Sequence, residues 1–260
     1  MKWYGSAPGA SMHMHEDPVI IGALERLFEG NLQCMKSVPV ALGNDLPDIT
    51  GYIHHLGRVT IAIETGTYLG TGSTKFIAEA FQRTWPPKVF YTIEVDHNAA
   101  MQARVNLARF PFVCPLWGSS VDIEQAAEWL ENDSVLQTPY AYPDIWIDHI
   151  DEANSAKHYA AEMRGSSAMA GHSDWAGEDL LRKLLDQHIH SQPLVILDSA
   201  GGIGWLEFQI MLETLAGHRY FVLLDDVQHV KHFRSLDYIK GSDEFVILAE
   251  SGKAALAVHL

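Results

Sequence analysis

Five short apolar runs recur along the later part of the chain, each ending in or next to a turn. They are VTIAIE (59–64), VFYTIE (89–94), FVCPL (112–116), LVILD (194–198) and YFVLLD (220–225). None alternates apolar with polar residues. A strand that is apolar throughout is covered on both faces, which predicts a parallel sheet between two helical layers. Helical spacing follows the first run through Phe81 and the second through about Ala108, and recurs over 122–132, 152–163 and 176–189. EFVILAE (244–250) and AALAVHL (254–260), joined at Ser251–Gly252, predict a closing hairpin, so the sheet ends antiparallel.

Upstream, DPVIIGALERLFE (17–29) reads as an amphipathic helix started by Asp17–Pro18. A short helix is expected near 48–56. Residues 1–58 are therefore expected to form a helical cap, and 59–260 the main domain. The interval from Leu116 to Leu194 is far longer than one crossover helix needs. Pro139, Pro143 and GSSAMAGHS (165–173) interrupt it. About 50 residues, within 134–190, are expected to form an inserted helical lid over the ligand edge of the sheet.

A chain of 260 residues with 47% hydrophobic content suffices for one sizeable core. The formal net charge of −15 repels phosphate backbones, so no nucleic-acid substrate is expected. Cys34 and Cys114 cannot build a disulfide framework and fit a reducing compartment. No secretory signal and no apolar run of membrane-spanning length is present, so the expected location is cytoplasmic, with no membrane partner.

The chemistry concentrates at the run ends. After the first run comes Glu64-Thr65-Gly66-Thr67-Tyr68-Leu69-Gly70-Thr71-Gly72-Ser73, and Glu94 ends the second. Glycines at a strand-to-helix turn let backbone approach a ligand closely. A carboxylate at the next strand end can accept both hydroxyls of a ribose. The glycines at 66, 70 and 72 do not match the G-x-G-x-x-G spacing of a dinucleotide site.

The order E-x-G-x-x-x-G, helix, strand ending in Glu resembles the class I S-adenosylmethionine-dependent methyltransferases, and so does the terminal hairpin. The resemblance implies a Rossmann-like α/β fold, with a mostly parallel seven-stranded sheet and helices on both faces. It also implies S-adenosylmethionine as cofactor, held by Glu64, Gly66, Thr67, Tyr68, Gly70 and Ser73. Glu94 would hold the ribose, and Ser119 of WGSS (117–120) would stand on the adenine side.

Asp198 ends the fourth run and Asp225–Asp226 the fifth. Three converging carboxylates repel each other unless something positive lies between them. The pattern resembles the cation-dependent O-methyltransferases of catechol and macrocin type. That resemblance implies Asp198, Asp225 and Asp226 as ligands of a divalent Mg²⁺ or Mn²⁺, with Asp198 also beside the cofactor. Glu207 is a further candidate ligand. Those families often carry Lys or His where this chain has Gly201, so a general base is sought elsewhere. His229 is the first candidate and His232 the second. His149, Asp151, Glu152 and His158 would approach the substrate only if their segment is a lid.

The chain lacks an [N/D]-P-P-[Y/F] motif at 198–201 and a cysteine after the fourth run, which disfavours nucleobase methylation. The expected partner is a small hydroxyl-bearing acceptor, and a homo-oligomer is allowed. The alternatives are a nucleotide-dependent oxidoreductase and a noncatalytic binding protein.

Overall fold

Asp17 Oδ1 accepts the Val19 amide at 2.9 Å and so starts α1 (Pro18–Glu29). This helix buries Ile20, Ala23, Leu24, Leu27 and Phe28 on its inner face. The molecule is described here by a computed structural model, covering residues 17–29, 58–138, 141–148, 155–166 and 172–260. The short helix expected near 48–56 lies outside the described residues.

The runs fold as β1 (Ile61–Thr65), β2 (Val89–Glu94), β3 (Val113–Trp117), β4 (Leu194–Leu197) and β5 (Tyr220–Leu224). The hairpin supplies β6 (Phe245–Glu250) and β7 (Ala255–His259). The seven strands are ordered β3-β2-β1-β4-β5-β7-β6. Pairings among the first five are parallel, and β7 runs antiparallel to both β5 and β6. This is the Rossmann-like α/β architecture expected from the pattern.

Continuous apolarity has the expected cause. In β4, Val195 and Leu197 pack into one core layer, whereas Leu194 and Ile196 pack into the other. All four are fully buried. One layer includes α1 and α2 (Ser73–Arg83), joined by the stacked rings of Phe28 and Phe81 at 3.7 Å. Next in the chain are α3 (His97–Asn106), α4 (Ile123–Asn132), α5 (Ser134–Gln137) and α6 (Ser155–Ser166). The last three pack on one another. Then α7 (Leu180–Gln187) packs against β1 and α8 (Gly204–Thr214), and α9 (Phe233–Gly241) precedes the hairpin. No helix among the described residues is long and apolar enough to cross a membrane.

The chain leaves β1 toward β2 and β3, then returns to build β4 and β5 on the other side of β1. The carboxyl ends of β1 and β4 are therefore the switch point of the sheet, where the crevice of an open α/β sheet binds ligands. Gly66 lies there. Its φ is +87°, and a Cβ there would lie 2.2 Å from the Asp198 carbonyl oxygen. Only glycine lets these two strand ends lie so close.

Gly66→Ala should therefore destabilise the fold by roughly 2–4 kcal/mol, from a strained φ plus overpacking. Gly72→Ala should change stability by less than about 0.5 kcal/mol, because a Cβ at Gly72 meets open space. Denaturant unfolding of the two variants checks the contrast.

Candidate functional site

The glycine turn is pinned to the neighbouring strand. The amides of Gly66 and Thr67 both donate to the Ile93 carbonyl, at 3.0 and 3.1 Å. Gly70 turns back with φ +65° and presses on Leu107 and Ala103. Tyr68 is left-handed, φ +49°, and this aims its amide at Glu94 Oε2, 2.6 Å away. The Asp96 amide donates to Glu94 Oε1 at 2.8 Å. The structure thus brings Tyr68 and Glu94 together at one rim. The Tyr68 side chain is half exposed. Burial raises the Glu94 pKa despite these amides, and no basic side chain among the described residues offsets it. Each carboxylate oxygen keeps a lone pair for another donor.

Glu64 lies deeper than the sequence suggests. β1 runs one residue further, so Thr65 ends the strand and the Glu64 side chain is fully buried. Thr92 donates to its Oε2 at 2.7 Å, and the Thr67 hydroxyl touches that of Thr92. Ser73 Oγ lies 3.1 Å from Glu64 Oε1 and 3.1 Å from Asp198 Oδ2. One hydroxyl proton cannot fill both gaps. A protonated Glu64 donating to Ser73, which donates to Asp198, fills each once. Burial pushes the Glu64 pKa up to about 7, consistent with that proton. Glu64 thus lies beneath the turn and supports Ser73 and Thr92.

The three strand-end carboxylates do converge. Oxygens of Asp198, Asp225 and Asp226 all lie within 4.8 Å of one another. The positive charge among them is already present. Lys231 Nζ lies 3.1 Å from Asp198 Oδ1 and 3.1 Å from Asp226 Oδ2, and the lysine is buried. Burial alone would lower its pKa, but Asp198, Asp226 and Asp225 together hold it above the ordinary value. Asp225 is buried, and burial first, then Asp198, raises its pKa well above the usual carboxylate range. Asp226 is left-handed, φ +52°, a conformation that Asp tolerates better than most residues. A divalent ion here would meet a buried ammonium already bonded to two of its three carboxylates, so the donor set does not fit the expected metal.

Glu207 is not turned toward this cluster. Thr65 Oγ1, Ser120 Oγ and Ser199 Oγ donate to its carboxylate at 3.0, 2.5 and 2.6 Å. Fully buried, it ties together the ends of β1, β3 and β4. Its pKa is raised by burial, against these three hydroxyls.

His229 is nearly buried at 3% exposure. Its Nδ1 accepts the Lys231 amide at 3.2 Å, and its Nε2 faces Asp148 Oδ2 at 3.3 Å. With Nδ1 accepting, a neutral ring carries its proton on Nε2 and has no lone pair to spare. This geometry does not suit the base expected at His229. His232 is wholly buried, near Ser235, and a Cβ on Gly204 would strike its ring. Burial holds its pKa well below the ordinary value, so it stays neutral inside the packing rather than at the crevice.

The segment 141–148 straps onto the loop after β5. Trp146 donates its amide to Gln228 and accepts that of Val230, at 3.0 and 2.9 Å. The half-exposed Trp146 ring stands edge-on to His229, with centroids 5.0 Å apart.

A second strap, which the sequence did not reveal, covers the loop after β3. Ala176 donates to Trp117, Ser119 to Gly177, Leu180 to Ser119 and Leu181 to Ser120, all at 2.8–3.0 Å. Ser119 is buried with its backbone groups engaged, and its Oγ accepts the Val121 amide at 3.4 Å. Beside it, Trp117 is ringed by His97, His172 and Trp175. His158 lies on the surface, 3.4 Å from Glu162. His149, Asp151 and Glu152 lie outside the described residues.

The Glu64 pKa carries a sign. An acid whose pKa is raised on folding keeps its proton longer in the folded state, so stability is lost as pH rises from 4.5 to about 7. The loss attributable to Glu64 should be about 3 kcal/mol over that window. Glu64→Gln should flatten this part of the profile and be the more stable protein above pH 7. Unfolding free energies of both proteins across the window check this.

No family model matches the chain, and no curated protein matches it. Solved structures similar to it include an rRNA methylase from Streptococcus thermophilus, at 13% identity and TM-score 0.33, over 77% of this chain and 85% of that one. The cofactor-bound Rv0187 from MTB is 17% identical with TM-score 0.38, over 94% and 89%. A Klebsiella pneumoniae protein assigned as an O-methyltransferase is 14% identical with TM-score 0.40, over 93% and 89%. At these identities and TM-scores, no site chemistry passes from them to this chain.

Proposed function

We propose that this protein transfers a methyl group from S-adenosylmethionine to a hydroxyl of a small-molecule acceptor. One observation carries the proposal: at the switch point of the sheet, the Gly66–Gly70 turn closes on Glu94, a half-buried carboxylate without a cationic partner among the described residues. Two hydroxyls of a ribose are neutral donors that can fill the lone pairs left beside the Tyr68 and Asp96 amides. The turn leads into α2, whose first amides have no side-chain cap.

Bound there, the cofactor supplies a methyl on a sulfonium; transfer to oxygen breaks the carbon–sulfur bond, leaves a thioether and releases the hydroxyl proton. The chain's own part is to hold and deprotonate the acceptor. Asp198 links the two halves of the site, since it touches Ser73 on the cofactor side and Lys231 on the other. We assign the hydroxyl proton to Asp226, the most exposed of the three carboxylates, with 37% of its side chain accessible. His229 accepts the Lys231 amide instead. Trp146, half exposed and edge-on to His229, would offer the acceptor an aromatic wall. The net charge of −15 supports a small acceptor over a nucleic acid.

Glu94→Ala should weaken binding of S-adenosylhomocysteine by roughly tenfold to a hundredfold, as expected for losing about 1.5–3 kcal/mol of hydrogen bonds to a charged group. Isothermal titration calorimetry checks it. Unchanged affinity would remove Glu94 from the site. Thermal stabilisation of the wild type by NAD and not by S-adenosylhomocysteine would favour an oxidoreductase.

A further inference from the structure

We infer that Lys231 is the resident cation of this site, standing where a divalent metal would stand, so that the acidic cluster works without a metal ion. The geometry is specific. Its Nζ bonds Asp198 Oδ1 and Asp226 Oδ2 at the same 3.1 Å. A hard divalent ion drawing on the same carboxylates would bind their oxygens at about 2.0–2.6 Å, directly beside this ammonium. Two cations would then share one small, poorly solvated space.

The surroundings are built around the lysine. Gly204 makes room for its stem, because a Cβ at Gly204 would lie 2.8 Å from Lys231 Cβ. The Lys231 amide is capped by His229 Nδ1. On the other side, Gly201 has φ +76°, and a Cβ there would already touch the Tyr159 ring at 3.4 Å. A side chain at position 201 would sit on a strained left-handed backbone, and the basic nitrogen of the site comes instead from Lys231, after β5. The exclusion of metal rests on geometry alone. The consequence that methyl transfer needs no metal also rests on the function proposed above.

Mn²⁺ is the probe. Its binding to the ligand-free protein is read by electron paramagnetic resonance and calorimetry near neutral pH. The wild type should show no site tighter than about 100 μM, weaker than dedicated carboxylate sites. Lys231→Met should gain one site at least about tenfold tighter, as the repelling charge is removed. Adding Asp198→Asn should abolish the gain, and Lys231→Arg should stay like the wild type. A tight wild-type site lost on Asp198→Asn would overturn the inference. So would a folded Lys231→Met that gains no Mn²⁺. If Lys231→Met does not fold, the wild type and Lys231→Arg decide alone. In a second arm, turnover of hydroxyl acceptors should survive EDTA, and a loss restored by Mg²⁺ or Mn²⁺ would overturn the inference. Failure to methylate any acceptor would count against the proposed function and leave the Mn²⁺ result standing.

Discussion

The ammonium of Lys231 lets three carboxylates end two adjacent strands at one point. Two like unit charges about 4 Å apart cost about 4 kcal/mol at an effective dielectric of 20, and three cost more. The tips of β4 and β5 bear that load because Lys231 bonds Asp198 and Asp226. The buried Asp225 meets it by holding its proton more tightly. The left-handed backbone at Asp226 turns its carboxylate toward this charge.

From that point the polar framework spreads along the carboxyl edge of the sheet. Asp198 passes the constraint to Ser73, Ser73 to Glu64, and Glu64 to Thr92. Glu207 makes a parallel tie among Thr65, Ser120 and Ser199. These buried acids fix the spacing of the ends of β1 to β4 while their neighbours above keep contact with the crevice. A proposed cofactor edge at Glu94 and an acceptor edge at Asp226 are thereby held in one rigid frame. Asp198 is their common member.

Much of the fold was legible because burial writes itself into composition. Strands covered on both faces must be apolar throughout, and VTIAIE, LVILD and YFVLLD betrayed both the strands and the parallel sheet. The convergence of Asp198, Asp225 and Asp226 was also legible, since parallel neighbours put their ends side by side. The identity of the compensating charge was not. Lys231 lies beyond the strand, and only the chain's return over Gly204 brings its nitrogen back. Glu64 was misplaced by one residue of strand length, which turns a side chain from rim to interior. The role of Glu207 depends on hydroxyls from three distant segments, although an acid inside the apolar stretch GIGWLEFQIM was a visible signal. The contacts of His229 with residues 148 and 231 join segments that no local pattern links. The strap of residues 176–181 over Ser119 is likewise a long-range backbone pairing without a sequence mark.

The most direct measurement is the coupling between the lysine and its acids, from unfolding free energies in denaturant. Removing one partner of a buried ion pair typically costs about 3–5 kcal/mol, so Lys231→Met alone should lose that much. In a protein already carrying Asp198→Asn and Asp226→Asn, the same change should cost less than about 1 kcal/mol, because no uncompensated charge remains. Equal losses in both backgrounds would contradict the account, for Lys231 would then be packing rather than balancing charge.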